Sequence, residues 1–196
     1  RTPYLGVTYS EEQIEEAIKP HQHKIVRFEG GDEQALNFIE EQKIIAVFGG
    51  GSESGRRALG NRSILVDPRS TTMKDTLNER VKHRKWYRPF APSVLKEDAP
   101  EWFDNYVESP YMSIALKFKE EKQPLVPAVV HADGTGRLQT VEQELNPWYH
   151  GFISAWKERT GVPILLNTSF NDREPIVEKP EHAINCFLGT NIDYLY

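Results

Sequence analysis

The sequence predicts an α/β domain of the α+β kind: a single twisted, mixed β-sheet flanked by helices. Three observations predict it. Ile44–Phe48 and Val162–Leu166 are short, continuous apolar runs of the kind found in strands buried on both faces. Thr71–Val81 and Trp148–Arg159 read as helices, the first with Met73, Leu77 and Val81 at helical spacing. Helices and strands do not alternate in regular βαβ order, which favours a mixed sheet over a parallel one. At 196 residues, with 38% hydrophobic and 11% aromatic residues, the chain is long and apolar enough for one sizeable core.

Each element has its own local cause. Ser10-Glu11-Glu12-Gln13 is a capping box that starts a helix running to Lys19, ahead of Pro20. Lys24–Phe28 reads as a short strand. Asp32 caps a second helix with Ala35, Leu36 and Ile39 on one face. The Ile44–Phe48 strand empties into Gly49-Gly50-Gly51, and Ser63–Val66 is the next strand. Pro89 and Pro92 hold their segment extended. Tyr111–Phe118 and Arg137–Val141 read as strands, and Lys119–Pro127 as a loop. The Trp148–Arg159 helix stops at Thr160-Gly161, a C-terminal glycine signal. Pro180 opens a last helix that runs to about Leu188. Trp86, Trp102, Trp148 and Trp156 read as core or interface packing, not as a base-stacking platform.

The bulk properties exclude several classes. No apolar run approaches the roughly 20 residues of a membrane helix, and no secretory signal opens the chain. Cys186 is the sole cysteine, which excludes an internal disulfide and a cysteine-based zinc site. These features favour the cytoplasm. A net charge of -5 argues against a general nucleic-acid coat. The opening Arg1-Thr2-Pro3 reads as the interior of a longer polypeptide.

Charge is segregated. Seven of the twelve arginines lie between Gly51 and Ser93, a window with a formal charge of +6. Guanidinium forks match phosphate and carboxylate oxygens two at a time, so the window is a candidate anion site. Within it, Gly50 and Gly55 have the spacing of a phosphate loop, but Arg56-Arg57 replaces the Lys-Ser/Thr that such a loop requires. Glycine still lets backbone N–H groups approach an anion, with Arg57 adding a fork. A plain turn after a strand is the competing reading. Lys82-x-Arg84 places two cations on one side of an extended chain, with Arg88-Pro89-Phe90-Ala91-Pro92-Ser93 stiffening the segment behind them.

Two further clusters stand apart from the window. In Leu165-Leu166-Asn167-Thr168-Ser169-Phe170-Asn171 a strand end is followed by uncharged hydrogen-bonding side chains, where ligands bind in α/β sheets. Ser169 lacks the G-x-S-x-G surroundings of a hydrolase nucleophile. His131-Ala132-Asp133-Gly134-Thr135-Gly136-Arg137 reads either as a weak metal pair, His131 with Asp133, or as a turn delivering Arg137 to an anion. No metal site is assigned.

Six ordered blocks together carry a resemblance. They are Ser-Glu-x-Gly-x-Arg-Ala-Leu-Gly-Asn-Arg-Ser-Ile-Leu, Arg-Pro-Phe-Ala-Pro-Ser, Asp-Gly-Thr, Gln-Thr-Val, Asn-Thr-Ser-Phe-Asn and Glu-Pro-Ile-Val. From about Tyr4 to Leu195 the chain resembles the C-terminal part of the NodU/CmcH-type O-carbamoyltransferases, a YrdC-like domain. The resemblance implies that residues 1–196 are one such domain, cut from a longer chain whose N-terminal acceptor-binding domain carries its own metal. It implies that carbamoyl phosphate and ATP, with Mg2+, give carbamoyl-adenylate and pyrophosphate. The upstream domain would then pass the carbamoyl group to a hydroxyl of a sugar or natural product.

Lys82, Arg84, Ser169 and Asn171 match the Lys-x-Arg…Ser-x-Asn signature of threonylcarbamoyl-adenylate synthases. Lys82 and Arg84 are the expected catalytic residues. Arg57, Asn61, Arg88, His131, Arg137, Asn167, Ser169 and Asn171 are the expected substrate- and ATP-binding residues. The chain departs from the family at Gly51, Ser54 and Arg56, and lacks a glycine between Arg173 and Glu174. Three alternatives remain open. One is an RNA-binding YrdC-like module without catalysis. Another is a threonylcarbamoyl-adenylate synthase, against which the Arg-Pro-Phe-Ala-Pro-Ser block argues. The third is a mainly structural domain that docks the acceptor domain through its aromatics.

Overall fold

The computed structural model describes residues 2–196. Seven strands form one mixed sheet: β1 (Ile45–Phe48), β2 (Arg62–Val66), β3 (Ala91–Leu95), β4 (Ile114–Lys117), β5 (Thr135–Val141), β6 (Ile164–Ser169) and β7 (Tyr194–Leu195). Their order is β4-β5-β3-β6-β2-β1-β7. β3 pairs parallel with β5 and β1 with β7, while the other pairings are antiparallel.

The helices are α1 (Glu11–Ile18), α2 (Gly31–Glu40), α3 (Met73–Leu77), α4 (Ala99–Trp102), α5 (Pro147–Thr160) and α6 (Pro180–Leu188). Strand periodicity sorts side chains onto two faces. Ile45, Val47, Leu65 and Leu165 pack with Leu36 and Ile39 of α2 and with Phe152 and Trp156 of α5. Ala46, Ile64, Val66, Ile164 and Leu166 face the other way, against Leu77, Ala183 and Cys186 of α3 and α6. Burying each large apolar side chain contributes about 1.5–3 kcal/mol, so these two layers are the principal force holding the sheet between helices.

Several expectations hold in atomic detail. The Ser10 hydroxyl accepts from the Gln13 amide at 3.2 Å while the Gln13 side chain accepts from Ser10 N at 2.9 Å, closing the capping box. Gly161 terminates α5 in the left-handed region, at φ 75°.

Others are corrected. Lys24–Phe28 is not a strand: a 3-10 turn occupies Lys19–Lys24 and irregular chain follows. The position beside β1 is taken by β7, and this segment makes no ladder with it; Phe28 instead packs edge-on against Phe38 and Tyr194. Gly30, not Asp32, precedes α2, and the Asp32 carboxylate accepts from the Trp148 indole and the Tyr196 hydroxyl. The Lys119–Pro127 loop contains a 3-10 turn at Gln123–Leu125. Among the four tryptophans, Trp102 and Trp156 are core, Trp148 stacks on Phe152, and Trp86 is 77% exposed.

Candidate active site

Strand register gathers the chemistry-bearing residues at one end of the sheet. Phe48 pairs with Arg62, Ser63 with Ser169, Asn167 with Ala91, and Ser93 with Gln139. The exits of β1 and β6 therefore lie beside the entries of β2, β3 and β5. That end carries the glycine-rich loop, the Ser169–Asn171 turn, the Pro89 segment and Arg137.

Lys82 reaches this end by an unforeseen route. The helix that begins at Met73 widens into a π-helical turn at Asn78–Lys82, closed by a 2.6 Å bond from His83 N to the Asn78 carbonyl. His83 then takes a left-handed conformation, φ 52°. Lys82 and Arg84 are thus not on extended chain as the spacing suggested; a helix terminus and a sharp turn set their directions. Single π-turns of this sort recur at functional sites.

The Lys82 ammonium lies 2.8 Å from Ser169 O, 3.2 Å from Ser169 Oγ, 3.0 Å from Asn171 O and 2.8 Å from Asn171 Oδ1. Three N–H donors face four oxygens, all of them neutral. The Ser169 hydroxyl also donates to Asn171 Oδ1 at 2.7 Å, and the Asn171 amide donates to Glu174 O at 2.8 Å. Lys82 is buried and forms no ion pair among the described residues. Burial, and then the neighbouring Arg84 charge, lower its pKa to about 8.

Arg84 lies 4.3 Å over the Phe90 ring, and its Nε is buried without a partner. Burial, then Arg88, lower its pKa to about 10. Arg88 is exposed beside it.

Arg57, His131 and Arg137 form a second group. Burial and then the charge of Arg137 lower the Arg57 pKa. The His131 pKa is lowered chiefly by burial, and its Nε2 has no partner. The Asp133 carboxylate does not act as a ligand partner to His131. It accepts from Thr135 N and Thr135 Oγ1 and fixes the turn before Arg137. The side chains of Arg56, Arg57, Arg88 and Arg137 make no hydrogen bond or ion pair with other described residues.

The other arginines of the window are committed to the fold. Arg62 is fully buried, 3.8 Å over the Phe48 ring, and donates to the carbonyls of Gly49, Gly50 and Asn61. Arg69 pairs with Asp67 and Arg80 with Asp193.

Two expected ligand residues stand behind the site. The Asn61 amide donates to Gly51 O at 2.7 Å and accepts from Asn146 at 2.9 Å. Asn167 is 1% exposed and donates toward Ala58 O, Ser93 Oγ and Gln139 Oε1. Both shape the loop and strand ends instead of facing solvent.

The glycine-rich loop has two supports the sequence did not reveal. Glu53 Oε1 accepts from the amides of Leu59, Asn61 and Arg62. The segment before α1 lies across the loop, with Gly6 N donating to Ser52 O at 3.0 Å and Ser54 N to Pro3 O at 2.8 Å. Between this loop and the Asn171 turn opens a cavity of about 370 Å³, lined by Ser52, Glu53, Arg56, Asn171, Val177 and Glu178 among others. Asn171 therefore joins the Lys82 node to an open cavity with a loose arginine on its far wall.

Comparison with known proteins gives the family and the fold. The family model described as Carbamoyltransferase C-terminus matches residues 36–196. The nodulation protein NolNO of Sinorhizobium fredii is 51% identical over 166 residues, covering 83% of this chain and 24% of that protein. The uncharacterized protein MJ1058 of Methanocaldococcus jannaschii is 42% identical over 200 residues, covering 99% of this chain and 33% of that one. The chain spans a quarter to a third of the length of these relatives. In fold it resembles full-length HypF, solved in a phosphate- and nucleotide-bound form, with a TM-score of 0.58 at 21% identity over 97% of this chain and 28% of that one. With four-fifths of its length inside the family model, the chain belongs to the carbamoyltransferase C-terminus family.

Proposed function

We propose that this chain is the YrdC-like, carbamoyl-adenylate-forming domain of an O-carbamoyltransferase, joined to an upstream acceptor domain. The observation that carries this reading is the Lys82 ammonium, buried among neutral oxygens of Ser169 and Asn171, with Asp172 and Glu174 acting on it only at a distance and forming no ion pair with it. A desolvated cation without a contacting counter-ion attracts an anion more strongly than a solvated one. Arg84, Arg88, Arg57 and Arg137 extend the same field, and their mutual repulsion is relieved when an anion enters.

Both substrates are anions. Water removes phosphate from carbamoyl phosphate and leaves carbamate. A carbamate oxygen then attacks the α-phosphorus of ATP, the bond to the bridging oxygen of the β-phosphate breaks, and pyrophosphate departs. The protein needs no nucleophile for this. It has to hold two repelling groups in line and stabilise charge on the departing phosphates, which Lys82 and the unpaired guanidiniums are suited to do. Ser169 and Asn171 orient the bound group through the hydroxyl and amide now turned toward Lys82. Asn61 and Asn167 act as positioning residues.

Among the described residues no group of three or more His, Cys, Asp and Glu side chains is placed to hold a metal ion. That fits magnesium carried by the nucleotide, which binds phosphate oxygens with one or two carboxylates. Glu178 lines the cavity and would supply one, while Glu53 is committed to the loop amides; the ion would neutralise phosphate charge. The acceptor would be chosen by the upstream domain.

The test is release of pyrophosphate from ATP dependent on carbamoyl phosphate, with and without the upstream domain. Release that Lys82→Ala abolishes supports the reading. ATP binding and turnover unchanged in that variant would remove Lys82 from the site.

A further inference from the structure

Arg88 N donates to Lys85 O at 3.0 Å, closing a β-turn with Trp86 and Tyr87 at its two central positions. Turns normally place small or polar residues there, for reasons of backbone geometry and local hydrogen bonding. Here they hold two large rings, 77% and 57% exposed, with centroids 6.0 Å apart and planes at 81°. Neither turn chemistry nor core packing accounts for them. The rings are flanked by exposed Lys85 and Arg88, and Lys85 Nζ lies 5.9 Å from the Tyr87 ring.

The stem of this turn is fixed. Arg84 stacks on Phe90, which is 2% exposed, and donates to Pro89 O. The pair is therefore presented on a rigid support two residues from Arg84, next to the cations assigned to phosphate.

We propose that Trp86 is the stacking platform for the purine base of the nucleotide whose phosphates occupy the Lys82–Arg84 site, with Tyr87 meeting the base at its edge. This rests on the reading given under the proposed function and adds the base-recognition element to it. Two ring faces at a right angle make a corner that fits a flat heterocycle, stacked on one ring and met edge-on by the other. The flanking cations suit a ligand whose aromatic part is tethered to phosphates, a combination seen wherever proteins bind nucleic-acid bases and backbone together. An apolar protein partner would have to desolvate Lys85 and Arg88 to reach the same rings.

The experiment compares the affinities of ATP and inorganic tripolyphosphate for the chain by titration calorimetry, in wild type, Trp86→Ala and Trp86→Phe. Trp86 is exposed, so neither substitution threatens folding, and thermal melts check this. The expected result is tighter ATP than tripolyphosphate in wild type. Trp86→Ala weakens ATP roughly five- to a hundredfold, leaves tripolyphosphate unchanged, and Trp86→Phe restores most of the loss. Tripolyphosphate and ATP bound equally, or both weakened alike by Trp86→Ala, overturns the base platform while the phosphate site stands. Absence of binding by either compound in wild type overturns both.

Discussion

Lys82 Nζ lies 2.8 Å from Asn171 Oδ1, across 89 residues of sequence, and the same amide oxygen accepts from Ser169 Oγ. One carbonyl oxygen thus links the π-helical turn after α3 to the end of β6. The ammonium is contacted by dipoles only, with the Asp172 and Glu174 charges further off, so no ion pair ties it down. On the proposed function, an entering phosphate would displace the hydroxyl and amide oxygens and leave the two backbone carbonyls in place.

Lys82→Met separates charge from packing. The variant keeps the aliphatic stem and removes the desolvated ammonium, while Ser169 Oγ and Asn171 Oδ1 still bond to each other. ATP affinity is expected to fall about tenfold to a hundredfold, the loss of a charged hydrogen bond at ~1.5–3 kcal/mol. The melting temperature should change by only a few degrees. Calorimetric titration alongside thermal melts checks both; a large loss of stability with unchanged ATP affinity would make Lys82 structural.

The depressed Lys82 pKa gives a pH dependence of definite sign. Between about 8 and 10.5 the unfolded chain holds a proton on Lys82 that the folded chain has released. The unfolded state binds more protons in that window, so the Lys82 contribution makes folding more favourable as pH rises through it. Anion binding has the opposite slope, because the neutral amine attracts phosphate weakly. ATP affinity should decline above pH 8 in wild type and decline less in Lys82→Met. Urea midpoints and ATP titrations from pH 7 to 10, each as a difference between wild type and variant, measure the two slopes.

Much of the fold was legible because its signals are local. The Ser10 capping box, the Gly161 stop and the apolar runs of β1 and β6 depend on neighbours within a turn. The misread parts depend on distant partners. Lys24–Phe28 has β-forming residues, but the place beside β1 goes to β7, which arrives from the far end of the chain. The cation window overstated the site because sequence shows a charge and not its partner: Arg80 finds Asp193 113 residues away, and Arg62 is enclosed by loop carbonyls. Asn61 follows from the resemblance and Asn167 from its place at a strand end, yet nothing local marks Gly51 O and Ala58 O as their acceptors. Lys82, Ser169 and Asn171 come together as anticipated, though through a π-turn that no apolar spacing announces.

Glu53 is the anchor of the glycine-rich loop. Its Oε1 accepts three backbone N–H bonds, at 2.9, 2.9 and 3.4 Å, and its charge lies near buried Arg62. Glu53→Ala leaves those amides without their acceptor and removes the strongest negative charge acting on Arg62, with the weaker influence of Glu178 remaining. A loss of about 2–4 kcal/mol in unfolding free energy is expected, with faster hydrogen exchange at Leu59 and Asn61. Chemical denaturation with amide exchange checks it; exchange accelerated elsewhere but not at these two amides would contradict the anchoring role.

Gly51 leaves room for the segment before α1. A Cβ at Gly51 would lie 2.7 Å from Gly6 O and 3.0 Å from Tyr4 O, both backbone atoms. The strap before α1 fits across the loop because position 51 has no side chain. Gly51→Arg should push the strap away and break the bonds from Gly6 N to Ser52 O and from Ser54 N to Pro3 O. The released segment then becomes a protease target, while α1 and the sheet persist because their cores lie elsewhere. Limited proteolysis with mass mapping should show new cleavage between Thr2 and Tyr9 in the variant, and the melting temperature should fall modestly. A variant as resistant as wild type would mean that the strap is held by contacts other than its fit against Gly51, such as the 2.7 Å bond from Tyr4 OH to Leu59 O.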